Sequence, residues 1–174
     1  ERKLPINKLT RDQLKQLMEV LGVDPLDGDV IVDSIIDWID ENDLHQLNGA
    51  ETDYYSELDP PYRAKNGPLD RVEELLMVRG VTKELFDGAP ESEDTPERPG
   101  LKQLLTTTSS GRVNVKTSSS EALQALTGLG ETQIAAILTH RDGVDGIPGT
   151  DDDLPFRSVP EFVAMLGSAE INPQ

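Results

Sequence analysis

Asp33–Tyr55, DSIIDWIDENDLHQLNGAETDYY, is the stretch on which the fold turns. Its first half has the spacing of a helix with two opposed faces. Ile31, Ile35, Trp38 and Ile39 fall on one side, while Asp33, Asp37 and Asp40 stack on the other. The only Trp of the chain therefore reads as core. The helix then runs into Glu41, Asn42 and Asp43, passes Asn48-Gly49, and returns through Glu51 and Asp53 to Tyr54 and Tyr55. From Asp37 to Asp59 there are eight carboxylates and no Lys or Arg. Like charges at helical spacing repel, so this segment needs either free hydration or a cation.

On the N-terminal side, Leu14, Leu17 and Leu21 predict a helix from Arg11 to Leu21, capped by Thr10 with Gln13 in the capping-box position and stopped by Gly22. Pro25–Gly28 reads as a turn, with the acidic helix following over Asp29–Asp40. Beyond the acidic loop, Leu69–Arg79 has helical spacing and ends at Gly80, and Thr82 caps a short turn through Phe86. Residues 89–100, with Pro90, Pro96 and Pro99, read as an exposed linker. Leu101–Leu105 continues as helix, Thr106–Gly111 as loop and Arg112–Val115 as a short extended piece. Ser118 or Ser119 caps a helix through Leu126, Gly128-Leu129-Gly130 make a hairpin, Thr132–Arg141 forms a helix, and Val159–Leu166 a last short one. Arg71–Gly80 aligns without gaps to Ser158–Gly167, which suggests an internal duplication. The expectation is an all-α chain of two helix-hairpin-helix or SAM-like halves, residues 1–88 and 101–174, joined by the Pro-rich linker.

Composition narrows the function. The chain has 174 residues, enough for a real core, and a formal net charge of −17. That charge argues against a nucleic-acid or anionic-membrane surface, since such affinity rests on Lys and Arg. There is no cysteine, hence no thiol catalysis, disulfide or thiolate zinc site. The chain as given shows no apolar run long enough to span a membrane and no charged-then-apolar leader of the signal-peptide kind. The start at Glu1 without Met suggests a fragment.

Two acidic clusters are candidate cation sites. In the first, Asp40, Asn42, Asp43, Glu51 and Asp53 could converge if Leu44–Ala50 folds back, although the segment lacks the EF-hand pattern. The alternative is a solvated acidic face. The second, Asp142–Asp153, carries Asp142, Asp145, Asp151 and Asp153 among glycines that allow sharp turns, and reads equally as a site or a mobile loop. Leu126–Arg141 has the form of a helix-hairpin-helix motif, which in DNA-binding proteins offers backbone amides to a phosphate. Here Glu131 and the acidic surroundings favour a tight helix crossing instead. His45 and His140 belong to no nucleophile, triad or zinc pattern, and no catalytic residue emerges.

Taken together, Asp37–Asp43, Gly49-Ala50-Glu51 with Tyr54-Tyr55, Lys65-Asn66-Gly67-Pro68, Val72-Glu73-Glu74-Leu75-Leu76 and Val113–Thr117 resemble the K-type minor pseudopilins of type II secretion systems. The resemblance implies a non-enzymatic role: a helical domain inserted in a pilin-like protein at the tip of the periplasmic pseudopilus of a Gram-negative bacterium. Its partners would be the I-type and J-type minor pseudopilins and secreted cargo. Its inner-membrane anchor would be an N-terminal helix outside this chain. It further implies calcium in the helical domain, with Asp40, Asp43, Glu51 and Asp53 as candidate ligands. Two other readings compete: a DNA-binding module built on Leu126–Arg141, and a carboxylate-based hydrolase.

Overall fold

The computed structural model describes residues 3–90, 98–108, 115, 117–147, 150–154 and 156. The first helix, α1 (Arg11–Val20), begins where its capping residues put it. Gln13 N donates to Thr10 Oγ1 at 3.3 Å and Thr10 N donates to Gln13 Oε1 at 3.0 Å, so two amides that the helix leaves unbonded are satisfied. The second helix starts one turn earlier than the sequence predicts, because α2 spans Pro25–Ile39. Asp24 Oδ1 accepts from Leu26 N at 2.9 Å, and Pro25 sits in the first turn, where its missing N–H leaves no bond unmade. Pro25–Gly28 is thus helix, not turn.

Leu69–Arg79 is the larger departure, since only a 3-10 turn forms there, over Val72–Met77. Asn7 takes both backbone groups of Leu69: its Oδ1 accepts from Leu69 N at 2.8 Å and its Nδ2 donates to Leu69 O at 2.9 Å. Glu74 Oε1 meanwhile accepts from the amides of Asp70 and Arg71, each at 2.9 Å. The carbonyl that would open an α-helix is therefore bonded elsewhere. After α3 (Thr52–Ser56), which precedes that turn, come α4 (Lys83–Asp87), α5 (Leu101–Leu104), α6 (Ser120–Thr127) and α7 (Glu131–Asp142). The chain is mainly α-helical, as its periodicity predicts.

Two short pairings were not foreseen. β1 (Leu4–Pro5) runs parallel to β4 (Leu105–Thr106), and β2 (Gly88–Ala89) runs antiparallel to β3 (Arg98–Pro99). Close approach at the second pairing depends on glycine. A Cβ on Gly88, whose φ is +81°, would collide with the backbone of Arg98–Gly100.

One core cluster joins α1 and α2 to residues far along the chain: Leu14, Leu17, Ile35 and Trp38 share it with Leu101, Leu105, Ala122 and Ala125. α1 packs on both α2 and α6. A smaller cluster of Leu123, Ile134 and Ile137 lies between α6 and α7, which are joined through Gly128 in the left-handed conformation. Residues 91–97 of the linker, Arg112–Asn114 of the extended piece, the Val159–Leu166 helix and the Ser158–Gly167 arm of the repeat lie outside the described residues.

Asn7→Ala leaves the buried backbone of Leu69 without partners, and is expected to cost about 1–3 kcal/mol in urea unfolding. Glu73→Ala, on the exposed side of the same turn, should stay within about 0.5 kcal/mol of the parent. Equal effects would show that Asn7 does not fix this segment.

Candidate metal centre

α2 carries Asp33 and Asp37 one turn apart, and both are fully buried. The acidic side of this helix is therefore not a hydrated face. It is covered by the return of the 41–51 loop, whose backbone supplies the donors. Gln46 N donates to the two oxygens of Asp37 at 3.0 and 3.1 Å, and Asn48 donates to Asp33 Oδ2 from its backbone N at 3.2 Å and its Nδ2 at 3.1 Å. Asn48-Gly49 makes the fit possible. A Cβ at Gly49 would overlap Asp37 Oδ2, so only glycine lets the loop lie this close to α2. From the far side Arg79 Nη1 donates to Gly49 O at 3.0 Å, with its guanidinium 4.8 Å from the centre of the Tyr54 ring.

This return brings Glu51 to the end of α2. Carboxylate oxygens of Asp37, Asp40 and Glu51 lie within 4.8 Å of one another, the one such trio among the described residues. Glu51 is 1 % exposed, and neither of its oxygens has a hydrogen-bond partner. Burial, reinforced by Asp37, Asp40, Asp43 and Asp53, pushes its pKa up to about 7. Burial also raises Asp37, against the opposing hydrogen bonds from Gln46 and Ala50. Three carboxylates with two orphaned oxygens, and no Lys or Arg within the segment, form a donor set suited to a hard divalent cation.

Of the four acids the sequence reading puts forward in this segment, the structure brings Asp40 and Glu51 together, and it adds Asp37, which that reading does not include. Its position three residues before Asp40 on one helix end was the available signal. Asp43 and Asp53 stand outside the trio. Asp43 Oδ1 accepts from Thr52 N at 3.4 Å, and hydrogen bonding from the Thr52 side chain lowers its pKa, whereas Asp53 is exposed and bonds the adjacent Tyr54 amide.

In the second loop the described residues gather around two others. Thr150 Oγ1 bonds Asp145, Asp152 and Asp153 at 3.3, 2.7 and 3.3 Å, and Asp152 Oδ2 accepts from Val144 N at 2.7 Å. Asp142 is paired with Arg141 through two bonds of 2.6 Å, and Asp151 is exposed. The His140 ring lies tilted against Phe156, with centroids 4.6 Å apart, and His45 Nδ1 meets Gln46 O at 2.9 Å. The glycine turn between α6 and α7 borders a groove against α1 lined by Gln16, Glu19, Gln124 and Glu131, an acidic setting for any phosphate. Among the described residues no helix is long and apolar enough to cross a membrane.

Fold and site together define a mainly helical domain with a carboxylate cluster at one helix end. Its fold matches a chain in the crystal structure of the GspK-GspI-GspJ complex from the enterotoxigenic Escherichia coli type 2 secretion system. That match has a TM-score of 0.63 and 21% identity, and covers 94% of this chain and 51% of that one. The family model for type II secretion system (T2SS), protein K, matches residues 2–89, and the chain belongs to this family. Curated relatives named type II secretion system protein K include those of Dickeya chrysanthemi, 39% identical over 72 residues, and Klebsiella pneumoniae, 35% identical over 71. Each match covers 41% of this chain but only 19% and 22% of those relatives, so the aligned part is about a fifth of their length.

The acid cluster sets a pH dependence for the cation-free chain. A Glu51 carboxyl near 7 when folded, against an ordinary 4.5, means that the folded chain keeps a proton which the unfolded chain has released. Stability should then be fully present below about pH 4.5 and fall as pH rises toward 7, by on the order of 3 kcal/mol from this group. Urea unfolding in chelator at pH 5 and pH 8 measures the difference. Glu51→Gln should flatten it, and an equal slope in both proteins would remove Glu51 as the cause.

Proposed function

We propose that this chain is the helical domain of a K-type minor pseudopilin, a non-enzymatic subunit at the tip of the type II secretion pseudopilus. The family match over residues 2–89, which contains the whole acidic centre, carries this reading. The full-length protein would assemble with I-type and J-type minor pseudopilins, a partnership supported by the complex in which the matching fold occurs. It would be held at the inner membrane by a segment outside this chain, with this domain in the periplasm and within reach of secreted cargo. Among the described residues His45 meets Gln46 O and His140 lies against Phe156, while the buried Asp37 and Asp33 accept from the returning loop, contacts that support a role without catalysis.

The domain's bulk would cap the filament, and calcium would fix its acidic loop. Asp37, Asp40 and Glu51 would hold the ion. Asp43 and Asp53 at the margin would add negative charge, with waters and backbone carbonyls completing the six to eight oxygens calcium takes. The ion would supply the positive charge that the segment lacks and let Glu51 remain ionised in its buried position.

Two measurements test this reading. Calcium at 100 times its dissociation constant should stabilise the metal-stripped chain by about 2.7 kcal/mol, seen as a raised unfolding temperature that magnesium does not match. Asp37→Asn and Glu51→Gln should abolish that rise, and an unchanged midpoint in the parent chain would refute the calcium assignment. Separately, deleting this domain from the full-length protein in its own host should drop type II secretion to the level of a strain lacking the whole protein. Normal secretion would refute the proposed role.

A further inference from the structure

Outside the acidic segment, one residue reaches into it from α1. Arg11 donates from both Nε and Nη2 to Asp33 Oδ1, at 2.9 and 2.7 Å. The carboxylate it meets is fully buried, while its own side chain stays 44% exposed. With Oδ1 saturated, Asp33 Oδ2 is left to face the loop, where it takes both donors of Asn48. Asn48 stands three residues before Glu51, and between them Gly49 lies against Asp37. Of the acids gathered at this end of α2, the buried Asp33 therefore has its counter-ion built into the fold, whereas the buried Asp37 and Glu51 and the half-buried Asp40 have none among the ion pairs of the described residues.

We infer that Arg11 is a positioning residue for the cation centre. By neutralising Asp33 and fixing which of its oxygens faces the loop, Arg11 holds Asn48 in place and so holds Glu51 toward Asp37 and Asp40. The inference rests on the calcium reading given above and extends it to a side chain that does not touch the ion. Its sign is distinctive. A guanidinium near a cation site repels the cation, so Coulomb's law alone has calcium binding tighten when Arg11 is removed. If Arg11 positions the loop, binding weakens instead, because the ligands lose their common orientation. Outer-shell partners of metal ligands are typically worth about 10–100-fold in affinity.

The test is calcium titration calorimetry on this chain, with circular dichroism confirming that each variant is folded at the working temperature. Arg11→Met should weaken calcium binding about tenfold or more. Combining Arg11→Met with Asp33→Asn removes both charges yet keeps a side-chain oxygen for Asn48, and should recover most of that loss. Equal or tighter binding by Arg11→Met overturns the inference, and so does a double variant that binds no better than the single one. Should Arg11→Met fail to fold, Arg11→Lys keeps the charge but not the fork. A loss of about threefold then supports the inference, and parent affinity overturns it. Absence of calcium binding by the parent chain is a different result, because it removes the calcium reading itself and this inference with it.

Discussion

Two carboxylates buried on one helix shape this domain. A buried charge without partners is far more costly than the net gain from an ordinary hydrogen bond, and Asp33 and Asp37 lie side by side with no water reaching either. The fold satisfies Asp37 with peptide amides of the returning loop, and Asp33 with the Arg11 guanidinium together with the backbone and side-chain donors of Asn48. Gln46 and Asn48, alternate residues of the returning loop, bond to Asp37 and Asp33 in turn. The loop is consequently held on the helix by its own backbone, although its side chains are mostly exposed. Glu51 follows from that path, delivered into a buried position with no donor of its own.

The support beneath the loop is aromatic. All three Tyr and the one Trp of the chain meet there. Trp38 packs edge-on to Tyr55 at 5.1 Å, Tyr54 edge-on to Tyr55 at 5.2 Å, and Tyr62 stacks on Tyr55 at 5.2 Å. The Tyr55 hydroxyl accepts from Arg79 N at 3.2 Å, and burial pushes its pKa up to about 12. Rings have few torsions to lose on ordering and bury much area, so a chain with few aromatic residues has placed most of them under the one segment whose charges resist folding. Arg79 then links this floor to the loop above it.

What could be read from sequence follows the range of the forces involved. α1 was legible because Thr10 and Gln13 act within one turn, and the acidic stretch was legible because its charges are consecutive. The 69–79 segment was not, because its helical spacing loses to Asn7, 62 residues away in sequence. Asp37 was missed as a member of the centre for a similar reason. Acids at i and i+4 on a helix look like an outer surface until a loop is known to close over them, and the closure depends on Gly49, Arg79 and Arg11, which come from three parts of the chain. Asp24 and Pro25 carried a readable start signal that the glycine at position 28 obscured.

The clasp formed by Gly88–Ala89 and Arg98–Pro99 has a consequence for variation and for engineering. Because these two short strands pair directly, and Gly88 and Gly100 admit no side chain at the contact, the ends of the intervening segment are fixed to each other independently of its length. Even alanine at either glycine would force the two backbones apart, so variation at this clasp is confined to its other positions, Ala89 and Arg98 among them.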